Sequence, residues 1–181
     1  MASVKNIKLH IGKFVLKKKL KKHFRNRQSF NLDTAKSIGI IFNISNEKYY
    51  PQVKELVNTL SKKDIEILAL GYSPSKDVPD KYLFKQKIKF FSNKDLNWIN
   101  FPISNIINQF INKDYDIMID LSMEKFFPVD YIMAISNAKF KVGKFTEKNN
   151  YCDFMIDIKK NDNIEYLSEQ IIHYLSNINK Y

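Results

Sequence analysis

A layered α/β fold, with a mostly parallel sheet of about six strands, helices on both faces and a basic N-terminal helix in front, follows from three features of the sequence. Short apolar runs of strand length alternate along the chain with segments whose apolar residues recur at helical spacing. Two of the runs, Ser37-Ile-Gly-Ile-Ile-Phe-Asn-Ile44 and Asp116-Ile-Met-Ile-Asp-Leu121, are continuous rather than alternating, as in strands covered on both faces. The third feature is charge: of 30 Lys and Arg among 181 residues, ten lie in residues 1–28, which contain no acid, whereas the rest of the chain is almost neutral. The expected organisation is a leader, 1–28, and a single Rossmann-like α/β domain, 29–181. With 44% hydrophobic residues the chain can bury a core of that size.

The leader lacks proline and has Gly12 as its one breaker, so it predicts one helix from about residue 3 to 27. Val4, Ile7, Ile11, Phe14 and Val15 share one stripe; its continuation would be Lys18, Lys22 and Arg25, while Leu9, Leu16, Leu20 and Phe24 lie on the other side. Residues 3–15 are therefore expected to dock through that stripe, and 16–28 to present a cationic face. Arg25 and Arg27 are the only arginines of the chain.

In the body, the strand 37–44 leads to a helix capped by Ser45 or Asn46, with Val53, Leu56, Val57 and Leu60 inside. Residues 65–70 form the second strand, ending at Gly71, and 87–91 a shorter one after the turn-rich Ser73-Pro74 and Val78-Pro79-Asp80. Asp95-Leu-Asn-Trp98 reads as a loop or single turn, with Trp98 as a core plug. Pro102 and Ser104 open a helix through Ile106, Ile107, Phe110 and Ile111; the strand 116–121 and a helix over 129–137 follow. Residues 140–143 and 153–158 are two more strands, and Asp162-Asn-Ile-Glu165 has capping-box spacing, with Asp162 in the cap of a last helix.

Asp116-Ile-Met-Ile-Asp120 and Asp153-Phe-Met-Ile-Asp157 place Asp120 and Asp157 at the C-terminal ends of strands, where open α/β sheets bind ligands. They read either as paired carboxylates at a ligand edge or as residues that suit turns, a reading that needs no ligand. No glycine-rich phosphate loop and no Gly-x-Ser-x-Gly elbow occurs, so no nucleotide cofactor is expected and no hydrolase of that kind. One cysteine, Cys152, and three histidines, His10, His23 and His173, leave no basis for a disulfide framework or a clustered zinc site. Cys152 reads as structural and His173 as a partly buried or surface residue. Tyr49, Tyr50, Tyr72 and Tyr82 lie near strand ends without the motif that would frame them as base-stacking residues.

Most of the chain resembles a bacterial family known only as a conserved domain of unknown function, through Ala35-Lys-Ser-Ile-Gly-Ile40, Ala69-Leu-Gly-Tyr72, Asp95-Leu-Asn-Trp98, Asp116-Ile-Met-Ile-Asp-Leu121, Ala138-Lys-Phe-Lys-Val-Gly143 and Ile172-His-Tyr-Leu175. That resemblance implies a fold and no activity. The fourth and fifth segments are also similar to the N-terminal half of heptosyltransferase-like glycosyltransferases. Those enzymes bind the sugar nucleotide mainly through a second α/β domain, for which 181 residues leave no room, so the likeness implies at most a reused half-scaffold.

The functional expectation is a non-enzymatic cytoplasmic factor that binds RNA or the ribosome through Lys13, Lys17, Lys18, Lys19, Lys21, Lys22, Arg25 and Arg27. The alternative is a peripheral protein held on an anionic inner-membrane surface by the same leader. Neither a membrane-spanning run nor a secretory signal is read. A small enzyme working at the Asp120 and Asp157 edge, and a leader that merely docks with a solvated lysine face, complete the set.

Overall fold

Every strand of the sheet runs parallel to its neighbours, which follows from connections that cross over the sheet rather than turning back as hairpins. The computed structural model describes residues 2–82, 86–147 and 151–178, with side chains from Asn6 onward. In chain order the elements are α1 (Ala2–Leu20), β1 (Ser37–Asn43), α2 (Tyr49–Leu60), β2 (Glu66–Ser73), β3 (Ile88–Ser92), α3 (Asn105–Asn112), β4 (Ile117–Asp120), α4 (Phe127–Ile135), β5 (Phe140–Lys144), β6 (Phe154–Ile156) and α5 (Ile164–Asn177). The six strands form one sheet in the order β3-β2-β1-β4-β5-β6, the doubly wound arrangement.

Strand alternation divides the core. Ile38, Ile40 and Phe42 of β1 meet Val53, Leu56 and Val57 of α2 and Leu167 and Ile171 of α5 on one face. Ile41, Leu70 and Met118 face α3 and α4 on the other, where Leu16 of α1 joins them at 2% exposure. Gly39 lies under the Tyr115 ring, where a Cβ would come within 2.9 Å of it.

The leader departs from its sequence-based description in two respects. Its helix ends at Leu20, not near residue 27. Lys22 N and His23 N close a turn on the carbonyls of Lys19 and Leu20, and an extended strap follows, in which Gln28 N donates to Lys139 O at 3.1 Å. Bonds to the residues just ahead of β5 and β6 replace helical ones and tie the strap to the sheet. The docked face is also the opposite one. Leu9, Leu16 and Leu20 pack into the core, whereas Ile7, Ile11 and Phe14 are 55%, 36% and 59% exposed. The Val4 side chain lies outside the described residues, and Val15 is half-buried at the edge. Gly12 selects this face: a Cβ there would stand 2.9 Å from both the Ile99 carbonyl and the Phe127 ring, so only glycine lets the helix come this close.

Smaller corrections have equally local causes. Trp98 is 65% exposed and plugs no core. The Asn97 side chain accepts from Ile99 N and Phe101 N, folding a tight loop that turns Ile99 and Phe101 inward and leaves Trp98 outside. The cap of α5 is Asn163, whose side chain accepts from Tyr166 N at 2.8 Å, while Asp162 pairs with Lys144. Helix α2 begins without a side-chain cap; the Asn46 side chain accepts instead from Lys48 N, just ahead of the helix. His173 is exposed, as its position predicts.

Candidate functional site

The predicted cations divide into those that fix the leader and those left in solvent. Lys19 Nζ donates to Tyr131 OH at 2.9 Å and lies over the Phe101 and Tyr131 rings. Arg25 reaches across the strap to Asp153 with two bonds, Nη1 to Oδ2 at 2.7 Å and Nη2 to Oδ1 at 2.5 Å, and donates to Ala138 O at 2.8 Å. Its side chain is 7% exposed. Lys13, Lys17, Lys18, Lys21 and Lys22 remain exposed, as does Arg27, whose Nε stands 3.7 Å from Asp153. Lys18 lies over the Phe14 ring, and Phe24, on the strap between Lys22 and Arg25, is 92% exposed.

Asp120 and Asp157 are not brought together, because β5 separates their strands. Asp157 is exposed past the end of β6 and accepts from Lys159 N at 2.9 Å. Asp120 accepts from Ser122 N at 2.8 Å and lines a small cavity with Asp130, Lys125 and Lys144. Burial raises the Asp120 carboxyl above its ordinary range. Asp130, on α4, is pushed up to about 6 by burial and then by the charge of Asp120. Asp130 escaped the sequence reading; the signal was an acid between Val129 and Tyr131 in an otherwise apolar helix. Of the strand-end tyrosines, Tyr72 and Tyr82 are buried and Tyr50 packs against Tyr82 at 4.8 Å, so these rings serve the core.

A larger cavity, about 870 Å³, lies between the strap and the starts of β5 and β6. Its wall contains Lys141, a strand residue 2% exposed, whose Nζ donates to the carbonyls of Met133 at 2.5 Å and Ala134 at 3.3 Å at the end of α4. The ammonium thereby answers the negative end of that helix. Burial, and then the charge of Arg25, draw Lys141 down to about 7. His23 also lines the cavity: burial lowers its pKa against a hydrogen bond to the backbone of Ser136, and its Nε2 is buried with no hydrogen-bond partner among the described residues. Burial pushes the Cys152 thiol up, which favours its protonated form. Sequence reasoning missed Lys141 and Asp153, since both sit in strand-like alternation where a charged residue reads as solvent-facing.

Among the described residues no helix is long and apolar enough to cross a membrane. Compared with known families, residues 8–178 match a family of unknown function, DUF6913. No curated protein and no solved structure matches the chain, and the likeness to heptosyltransferase-like enzymes has no counterpart in these comparisons.

Proposed function

We propose that this chain, which belongs to the DUF6913 family, is a non-enzymatic factor that binds single-stranded RNA or ribosomal RNA through its leader. The observation that carries the reading is the placement of Phe24, 92% exposed, on a strap flanked by the exposed Lys21, Lys22 and Arg27 and next to Lys17 and Lys18 at the end of α1. Cations that follow a backbone together with a free aromatic ring form the combination by which sequence-tolerant proteins hold single strands. Lys19 and Arg25 support it from beneath by fixing the helix and the strap, so the exposed cations are presented on a braced surface rather than a loose tail.

The test uses the full chain, because Leu16 belongs to the core and deleting the leader would expose it. Binding to total RNA and to ribosomes is measured over a salt series for the parent and for Lys17→Gln, Lys18→Gln, Lys21→Gln and Lys22→Gln combined. With about six phosphates neutralised, log K against log salt falls with a slope of about −4 to −5, and the quadruple variant reduces that slope by about 3. RNA binding unchanged in the variant refutes the site.

A second reading, attachment to an anionic membrane, has its own observation. Ile7, Ile11 and Phe14 form an exposed apolar face on α1, and the loop carrying the exposed Trp98 packs on that helix at Gly12. Vesicles containing anionic lipid, run through the same salt series, decide: vesicle binding without RNA binding replaces the first reading by the second.

A further inference from the structure

Helix α1 is apolar on two opposite sides. Leu9, Leu16 and Leu20 turn one side into the core, while Ile7, Ile11 and Phe14 stand in solvent on the other, half a turn away. With Lys18, whose Nζ lies 4.6 Å from the centre of the Phe14 ring, the outer residues follow one another at spacings of four, three and four. That is the seam by which one helix packs on others. A helix that lies in a membrane surface gathers its apolar residues on one broad side, whereas α1 divides them. The outer seam is narrow, and lysines stand at both of its margins, Lys8 on one and Lys17 on the other.

This charge pattern selects what can cover the seam. Residues 1–28 hold no acid, so pairing α1 with the α1 of another copy would set lysine against lysine. The complement lies elsewhere on the same chain. On the opposite face of the sheet α2 and α5 pack side by side, and a shallow groove of about 100 Å³ lies between them, floored by Leu56 and Ile172. Glu55 of α2 stands on one wall and Glu165 and Glu169 of α5 on the other, and among the described residues no lysine or arginine lines the groove. These glutamates are exposed and have no ion pair among the described residues, in contrast to Glu47, Glu66 and Asp162, which hold Lys81, Lys113 and Lys144. An apolar seam between two lysine margins thus has its counterpart in an apolar floor between two glutamate walls. The sheet separates the two surfaces, since α1 lies on the face of α3 and α4, so no copy can fill its own groove.

We propose that the outer face of α1 docks in the α2 and α5 groove of a second copy of this chain. Ile7, Ile11 and Phe14 leave water against Leu56 and Ile172, and Lys8 and Lys17 meet Glu55, Glu165 and Glu169. The contact is head to tail: each copy keeps one free helix face or one free groove, and association continues past the dimer or closes into a ring. A contact made by one helix face is smaller than a standard interface, so association is weak, and its charge pairs make it salt-sensitive. The proposal does not rest on the RNA reading. It shares Lys17 and Lys18 with that surface and leaves Lys21, Lys22, Phe24 and Arg27 free.

Sedimentation velocity of the full chain, treated with nuclease so that no RNA bridges copies, tests it from micromolar to millimolar concentration. The expected result is an average mass that rises with concentration beyond the dimer at low salt and falls back to the monomer at high salt. Two double variants, Ile7→Glu with Phe14→Glu and Glu55→Lys with Glu169→Lys, alter exposed positions on one surface each, and each alone stays monomeric. Mixed in equal amounts they form a dimer that grows no further, because each supplies the surface that the other lacks. A parent that remains monomeric at millimolar concentration overturns the proposal. So does a double variant that associates like the parent, or a mixture that forms no dimer. The glutamate variant also separates this contact from the RNA surface, since it loses self-association and keeps RNA binding. Vesicles of anionic lipid that bind the parent but not Ile7→Glu with Phe14→Glu, while the parent stays monomeric, give the seam to a membrane and overturn the proposal.

Discussion

Arg25 and Asp153, 128 positions apart, form a two-pronged ion pair that fastens the leader to the start of β6. Asp153 Oδ2 also accepts from Lys141 N at 2.9 Å, so one carboxylate joins the strap, β5 and β6. The leader is thereby an integral part of the sheet edge, and its free cations are those that this fastening does not use.

Asp153→Ala should destabilise the protein by about 3 kcal/mol, because it leaves the guanidinium of Arg25 enclosed and without its partner. Burial opposes ionisation of Asp153, but the bonds from Arg25 and from the Lys141 backbone outweigh it and hold the carboxyl below its ordinary range. The contribution is therefore fully present above about pH 4 and is lost as pH falls through the lowered value. Urea unfolding at pH 7 and at pH 3 checks this: the difference between parent and variant should shrink at the lower pH.

Gly12→Ala sets two effects against each other. Alanine favours the helix by about 1 kcal/mol, but its Cβ meets the Ile99 carbonyl, a backbone atom with little room to yield. The clash should win and lift α1 from α4. Limited proteolysis should then cut the variant in the leader faster than the parent, and Gly12→Val faster still.

Asp130 has the opposite sign to Asp153. Its folded value of about 6 stands above the ordinary 3.8, so the unfolded chain ionises more readily and stability falls as pH rises from about 4 to 6. Asp130→Asn should stabilise the protein by about 1–3 kcal/mol at pH 7 and have little effect below pH 4. Thermal unfolding across that range is the measurement.

Lys141 acts at the alkaline end. With its value drawn from 10.5 to about 7, the unfolded chain binds more protons between those limits, and stability rises with pH there by up to about 1.4 kcal/mol per unit. Lys141→Met should flatten that rise in denaturant titrations between pH 7 and 10. A parallel rise in parent and variant would show that other groups cause it.

Much of the fold was legible because it rests on local regularities. The continuous apolar runs of β1 and β4 and the periodic faces of α2, α3 and α5 are imposed by burial, and burial leaves its period in the chain. Helix ends were less legible. Asn163 and Asp162 suit a cap equally well, and the choice fell to Asn163 because Asp162 is engaged by Lys144. The candidate site was legible only as a cluster of cations. Lys19 and Lys18 are adjacent and chemically identical, yet one holds Tyr131 and the other faces solvent.

By itself the sequence determined the fold class, the neutrality of the body and the concentration of charge in residues 1–28, all properties that composition and period carry without long-range contacts. Only the tertiary structure decided which face of α1 docks, where the leader stops being helical, and that Lys141, His23 and Asp153 surround one cavity. Each depends on residues more than a hundred positions apart: Gly12 must meet Phe127, and Arg25 must meet Asp153. No periodicity encodes such meetings, because they are set by how finished elements far apart in the chain pack on one another.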